Sequence, residues 1–292
     1  MAAQGTVLVL GADGMLGSMA CRVLRARGWR VAATRRRGDA DARVSADDPV
    51  ERIEAVVREA GPVCVFNCIG QTRVDAASAQ SVQDAFAVNG VFPWKLGFAA
   101  RACGARVVHV SSDGVFRGRA RPYTEASGCD AGDVYGLSKR AGEVSLPNVL
   151  SVRTSIVGPA AGGQGLLEWF LRHPDGAEVP GYANHVWNGV TTAQLADFFH
   201  ALAAGAFDRV RARGPVVHFS PNQPLSKYEL LREINAAYGR DVRVRPAQAP
   251  VAVTRVLSSR LRRLPGVPAR RAHMSNALRE LARMAPQEGK SR

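Results

Sequence analysis

The sequence predicts an α/β protein: a doubly wound, parallel sheet followed toward the C-terminus by a smaller α+β lobe. Three observations carry that expectation. Short β-branched runs alternate with stretches of helical apolar spacing through the first two-thirds of the chain. Val63-Cys64-Val65-Phe66 is apolar at every position, as a strand covered on both faces requires. A glycine-rich turn follows the first run directly. Strands alternating with helices imply crossovers that lay helices on both faces of a parallel sheet.

Taken in order, the expected strands are 6–10, 30–34, 63–68, 106–111 and 149–153, and the helices between them 16–27, 50–60, 82–103 and 135–144. Residues 158–163 (Gly-Pro-Ala-Ala-Gly-Gly) read as a loop. Two amphipathic helices follow, near 192–203 and 226–238, mixed with short extended pieces. The spacing therefore predicts a nucleotide-binding domain over 1–158, with some later segments returning to it. A lobe would occupy most of 159–285, and a polar tail 286–292.

Composition narrows the class. The chain has 292 residues, 46% hydrophobic and 22% charged, enough for a sizeable core. No apolar run approaches the roughly 18 residues of a membrane span, and the N-terminus lacks the basic start of a secretory signal. Five cysteines, odd in number and without a CxxC pair, suggest reduced core thiols in a cytoplasmic protein. The six histidines show no metal-binding spacing, so no metal is expected, and His109 reads as a satisfied core residue. The net charge is +14, and 13 Arg/Lys against three acids fall from Arg240 onward. Only four of the 39 basic residues are lysines, and no aromatic-basic interleaving accompanies them, so arginine-rich composition explains the charge better than nucleic acid does.

Gly11-Ala12-Asp13-Gly14-Met15-Leu16-Gly17 joins the first strand to the first helix. The first glycine permits the tight turn, the second lets backbone approach a pyrophosphate, and the third allows the helix to pack on the strand. Free N–H groups at the helix start would face the phosphates. This is a dinucleotide-binding (Rossmann) signature. Where NAD enzymes carry an acid after the second strand, this chain has Thr34-Arg35-Arg36-Arg37. Hydroxyl plus guanidinium suits a 2′-phosphate, so NADP(H) is favoured over NAD(H), with a solvated basic loop as the alternative.

Tyr135-Gly136-Leu137-Ser138-Lys139 puts a phenol and an ammonium on one helix face. With five tyrosines and four lysines, chance supplies about 0.07 such pairs. A free phenol titrates near 10, and a neighbouring cation is expected to lower it toward useful acid–base chemistry. Ser112, just past the strand at 106–111, completes a triad that would polarise a carbonyl. Ser111 competes for that role.

These motifs, together with Asn67-Cys68-Ile69-Gly70, Ser111-Ser112-Asp113-Gly114-Val115-Phe116, Pro122-Tyr123-Thr124-Glu125 and Gly142-Glu143, resemble the extended short-chain dehydrogenase/reductases. Within them the chain is most similar to the dTDP-4-dehydrorhamnose reductase branch. The resemblance implies NADPH reduction of a nucleotide-linked 4-keto-6-deoxysugar, with Tyr135 as proton donor and, at family level, a homodimer. It implies cofactor contacts at Gly11, Asp13, Gly14, Met15, Leu16, Gly17, Thr34, Arg35, Arg36, Cys68, Ile69, Gly70, Tyr135 and Lys139. Substrate contacts would come from Thr72, Asp113, Gly114, Asn184, His185 and Trp187.

Two departures stand out. The branch usually carries a tyrosine where this chain has Gly114 and a tryptophan where it has Ile156. Trp187 and Tyr182 could stack on a base or sugar in their stead, or be core aromatics of the lobe. Arg153 and Arg255 are candidates for the substrate diphosphate. Because Asp113 is followed by Gly114, a dehydratase is disfavoured; an epimerase and a non-catalytic binding module remain alternatives.

Overall fold

The computed structural model describes residues 4–35, 43–119, 122–160, 162–260 and 273–284. The expected tail at 286–292 and Arg36 lie outside these residues. The N-terminal part contains β1 (Gln4–Leu10), α1 (Met15–Ala26), β2 (Trp29–Thr34), α2 (Val50–Ala60), β3 (Cys64–Asn67), α3 (Ala79–Ala85), α4 (Phe92–Ala102), β4 (Arg106–Val110), α5 (Val134–Ala141) and β5 (Val149–Arg153). Beyond it come β6 (Ile156–Val157), α6 (Leu166–Leu171), β7 (Glu178–Tyr182), β8 (His185–Trp187), β9 (Val190–Thr191), α7 (Thr192–Ala201) and α8 (Phe207–Arg211). The chain continues through β10 (Val216–His218), β11 (Leu225–Ser226), α9 (Lys227–Ala237), β12 (Arg243–Ala247), β13 (Val253–Arg255) and α10 (Met274–Met284).

The six-stranded sheet has the order β10-β5-β4-β3-β1-β2, and every pairing in it is parallel. Strand order reverses between β1 and β3, so their carboxyl ends flank the crevice where such sheets bind ligands. Two apolar layers cover the sheet. One holds Val7, Val9, Phe66 and Val108 under α1 and α7, the other Leu8, Leu10, Val65 and Val107 under α2 and α4. Alternate residues of each strand feed opposite layers, which is why the runs read as continuously apolar. Val63 departs from that reading: it is 43% exposed, and the strand starts at Cys64. Cys21 and Cys64 are core thiols, whereas Cys68, Cys103 and Cys129 are only partly buried.

The single helix expected over 82–103 is broken. A π-helical turn, Phe86–Val91, separates α3 from α4. Pro93 has no N–H to give the carbonyl of Asn89, four residues back. That carbonyl instead faces Gly142, where a β carbon would come within 2.0 Å of it. The Asn89 side chain is thereby turned into the protein.

The segment 192–203, expected as an amphipathic lobe helix, is internal. Every residue of α7 from Thr192 to Phe199 is buried, against α1 and α10. Phe199 stacks on Phe66 of β3 at 4.5 Å, and Phe198 on Phe219 at 4.3 Å. With β10 in the main sheet, this stretch returns to the N-terminal part. The remaining lobe is built on the sheet β11-β8-β13, the parallel pair β12-β7, and α6, α9 and α10. Among the described residues no helix is long and apolar enough to cross a membrane, and no three His, Cys, Asp or Glu are grouped to hold a metal.

Candidate active site

The crevice begins at the glycine turn. Gly11 has φ 79°, a left-handed conformation that favours glycine. A β carbon at Gly17 would lie 2.1 Å from the Gly11 carbonyl oxygen, so only glycine lets α1 sit this close to the turn. Gly14 caps α1 without a side-chain hydrogen bond, and no acid stands in the first turn. The amides at Met15, Leu16 and Gly17 therefore form an uncapped, electropositive helix start. Gly165, from the loop before α6, lies over the Met15 side chain.

The basic corner is less open than its sequence suggests. Thr34 is buried, and its hydroxyl accepts the Gly11 N–H at 3.3 Å, so it braces the turn. Arg35 is half exposed, 3.7 Å from the Asp13 carboxylate, and is the described cation at this corner.

Across the crevice, Asn67 shapes the turn after β3. Its Oδ1 accepts the Ile69 N–H at 3.1 Å, and its Nδ2 meets His109 Nδ1 at 3.0 Å. Among the described residues His109 is only half satisfied, contrary to expectation, because Nε2 is buried without a partner. Burial and the Lys139 charge hold its pKa well below the usual histidine value, so the ring is neutral. Ile69 packs on Gly11, and Gly70 lies between Asn89 and the Lys139 ammonium. Cys68, behind them, has its thiol pushed up by burial. A continuous wall thus runs from the glycine turn to Lys139. Thr72 is exposed beyond it.

Asp133 caps α5 by accepting the Gly136 N–H at 2.7 Å, which sets Tyr135 and Lys139 on the helix face turned to the sheet. Lys139 is buried and donates to the Val110 carbonyl at 2.7 Å. Desolvation brings its pKa down to about 8, with Glu143 opposing. The Tyr135 phenol is hydrogen-bonded by Ser112. Its pKa moves the other way from expectation: burial raises it, and the ammonium that was to lower it is turned to Val110. The phenol is therefore neutral. Gly114 matters sterically, because a β carbon there would fall 2.9 Å from the Tyr135 ring.

Ser111 and Ser112 separate cleanly. Ser112 accepts the Gly114 N–H at 2.9 Å and faces the phenol, whereas Ser111 donates to Glu143 at 2.8 Å. Glu143 in turn holds Arg153 through Nε at 2.6 Å and the terminal nitrogen at 2.7 Å. Arg153 also donates to Cys129 Sγ at 3.0 Å and lies 5.1 Å over the Phe116 ring. Both partners are more than nine-tenths buried. Arg153 is thus a structural cation beneath the site and not a diphosphate contact.

The lobe supplies the facing wall. Arg255 of β13 sits beside Trp187 of β8 and donates to the Phe116 carbonyl at 2.8 Å. Arg255 and Lys227 both act on the Asp113 carboxyl, lowering a pKa that burial raises further. Trp187 is buried in the core, and the Lys227 ammonium lies 4.1 Å over its ring, so its role as an open stacking face is not what the fold provides. Asn184 spends its amide on the backbone of Ala249, accepting at 2.9 Å and donating at 2.8 Å. His185 Nε2 meets the Val251 carbonyl at 3.0 Å, and Tyr182 is 41% exposed beside it. These residues brace the strap before β13.

Two site residues escaped the sequence reading. Asn89 grips the Gln71 backbone at 2.9 and 2.8 Å and the Ser138 hydroxyl at 3.1 Å, tying the β3 turn to α5. Its signal was Asn-Gly in the interior of a helical pattern, where both residues are poor helix formers. Lys227 had its rarity as a signal, one of four lysines in an arginine-rich chain.

Comparison with known proteins places this geometry. The model of the family described as RmlD substrate binding domain matches residues 5–267. A dTDP-4-dehydrorhamnose reductase from Streptomyces griseus is 35% identical over 246 residues, covering 82% of this chain and 78% of that one. Another, from Burkholderia thailandensis, is 31% identical over 280 residues, covering 91% and 87%. The crystal structure of the Bacillus anthracis dTDP-4-dehydrorhamnose reductase in complex with NADP superposes with a TM-score of 0.79 at 20% identity, covering 96% of this chain and 99% of that one.

Proposed function

We propose that this chain, which belongs to the RmlD substrate binding domain family, is an NADPH-dependent reductase of a nucleotide-linked 4-keto-6-deoxysugar. The carrying observation is the neutral Tyr135 phenol, hydrogen-bonded by Ser112, at the end of a wall that starts at the glycine turn and passes Lys139. The similarity to two reductases at 35% and 31% identity supports the same reading.

The dinucleotide fits the residues present. The uncapped amides of Met15, Leu16 and Gly17 suit its pyrophosphate, and no β carbon obstructs their approach at Gly14. Arg35, with no acid at the end of β2, favours a 2′-phosphate, as does the NADP held by the B. anthracis relative. Bound there, NADPH supplies the hydride. Cys68, Ile69 and Gly70 would line its course, and Lys139, held by the Val110 carbonyl, would meet its ribose end.

Tyr135 gives its proton to the carbonyl oxygen as negative charge develops there, and the Ser112 hydroxyl holds the same oxygen in line. The raised pKa keeps the phenol protonated until that charge appears.

Incubation with NADPH and a panel of dTDP-, UDP-, GDP- and CDP-linked 4-keto-6-deoxysugars tests the reading. Stoichiometric loss of NADPH absorbance is expected. Product change without net oxidation would mean an epimerase, and cofactor binding with silence across the panel a binding module. Gly17→Ala is expected to weaken NADPH binding by more than about tenfold, since its β carbon displaces the Gly11 carbonyl that shapes the phosphate turn. Fluorescence titration of NADPH checks this, with unchanged circular dichroism as the folding control.

A further inference from the structure

Lys227 stands where a lysine is electrostatically disfavoured. It is the first residue of α9, at the positive end of the helix. Burial and the Arg255 guanidinium also oppose its charge. Among the described residues, the Asp113 carboxyl and the face of Trp187 favour it. Among the described residues no hydrogen bond or ion pair engages its ammonium. The capping box of Ser226 and Glu229, with the Glu229 N–H donating to Ser226 at 3.1 Å, fixes the backbone beneath it. A charge held against such opposition, with its donors unspent, is a binding group in search of an acceptor.

The position locates the acceptor. Trp187 pairs in register with Arg255, and Arg255 reaches the carbonyl of Phe116, the residue that ends the turn beginning at Asp113. Asp113 directly follows Ser112, the partner of Tyr135. Lys227 and Asp113 thus bring an ammonium donor and a carboxylate acceptor within electrostatic reach of each other without forming an ion pair. Sugar hydroxyls need both, whereas a diphosphate would be repelled by the carboxylate.

We propose that Lys227, seated on Trp187, is the residue that reads the sugar: its ammonium donates hydrogen bonds to glycosyl hydroxyls of the substrate beside Tyr135. This rests on the nucleotide-sugar reading above. Trp187 is then a platform that positions Lys227, and specificity lies in directed hydrogen bonds and not in stacking.

The test measures binding, independent of turnover. The full chain saturated with NADP+ is titrated calorimetrically with dTDP, UDP, GDP and CDP, and with the corresponding nucleotide-linked glucoses. For the base that binds best, Lys227→Met is expected to weaken the nucleotide sugar by about tenfold, the weight of a charged hydrogen bond, and to leave the nucleoside diphosphate within about twofold. Equal weakening of both would place Lys227 on the phosphates and overturn the proposal. Unchanged affinity for both would remove it from the substrate. If the methionine variant loses NADP+ binding as well, Lys227→Gln carries the same comparison with the same outcomes. A wild-type protein that binds none of these nucleotides would instead overturn the nucleotide-sugar reading itself, and this inference with it.

Discussion

Tyr135→Phe is expected to lower kcat by about a thousandfold while NADPH affinity stays within a few fold. General acid catalysis by a positioned side chain contributes on the order of 10²–10⁴, the share expected of the neutral phenol in the proposed step. The phenylalanine ring keeps the packing over Gly114, so the loss is chemical. Single-turnover reduction with a responsive keto-sugar and NADPH, together with a cofactor titration, measures both quantities. Retained turnover would remove Tyr135 from the proton step. The pH profile adds an independent reading. The phenol, raised above its ordinary value, stays protonated throughout the neutral range, whereas Lys139 sits at about 8. The basic limb of kcat/KM in the wild type is therefore expected near pH 8, where Lys139 loses its charge. A limb above 10 would assign it to the phenol.

Glu143→Gln is expected to destabilise the fold by about 3–5 kcal/mol, the usual cost of breaking a buried pair by removing one partner. Arg153 stays charged, enclosed by Phe116, Cys129 and His218, and loses the carboxylate that neutralised it. For a chain of this size that corresponds to a fall in Tm of about 5–8 °C, which differential scanning calorimetry resolves. A change below about 1 kcal/mol would contradict the buried-pair account. The double variant Glu143→Gln/Arg153→Met removes the stranded charge and should recover part of the loss. Glu143 also raises the pKa of Lys139. The same variant is therefore expected to move the basic limb of activity to lower pH, an effect that simple destabilisation would not produce.

The parts of the site legible in the sequence were those whose chemistry is local. The Gly11–Gly17 turn lies within seven residues, and its conformational demands exclude side chains at defined positions. Tyr135 and Lys139 share one helical turn, so spacing alone puts them on one face. The strands could be read because alternate residues feed two apolar layers, leaving continuous apolar runs. Val63 misled that reading because an apolar residue at a strand end costs little to expose. The break in the helix over 82–103 was foreshadowed by Asn89 and Gly90, both poor helix formers, and above all by Pro93, which removes a hydrogen bond from a helix interior.

What the linear chain settles is therefore the sheet, the phosphate turn and the phenol–ammonium pair, because each follows from backbone geometry over a few residues. Folding settles the rest. It turns Lys139 to Val110 and leaves Tyr135 neutral, since desolvation depends on what surrounds a group and not on its neighbours in sequence. It carries α7 and β10 back to the N-terminal part, encloses Arg153 with Glu143, and brings Lys227 and Arg255 to Asp113 across more than a hundred residues. Charges and faces on separate elements acquire meaning only when packing fixes their distances.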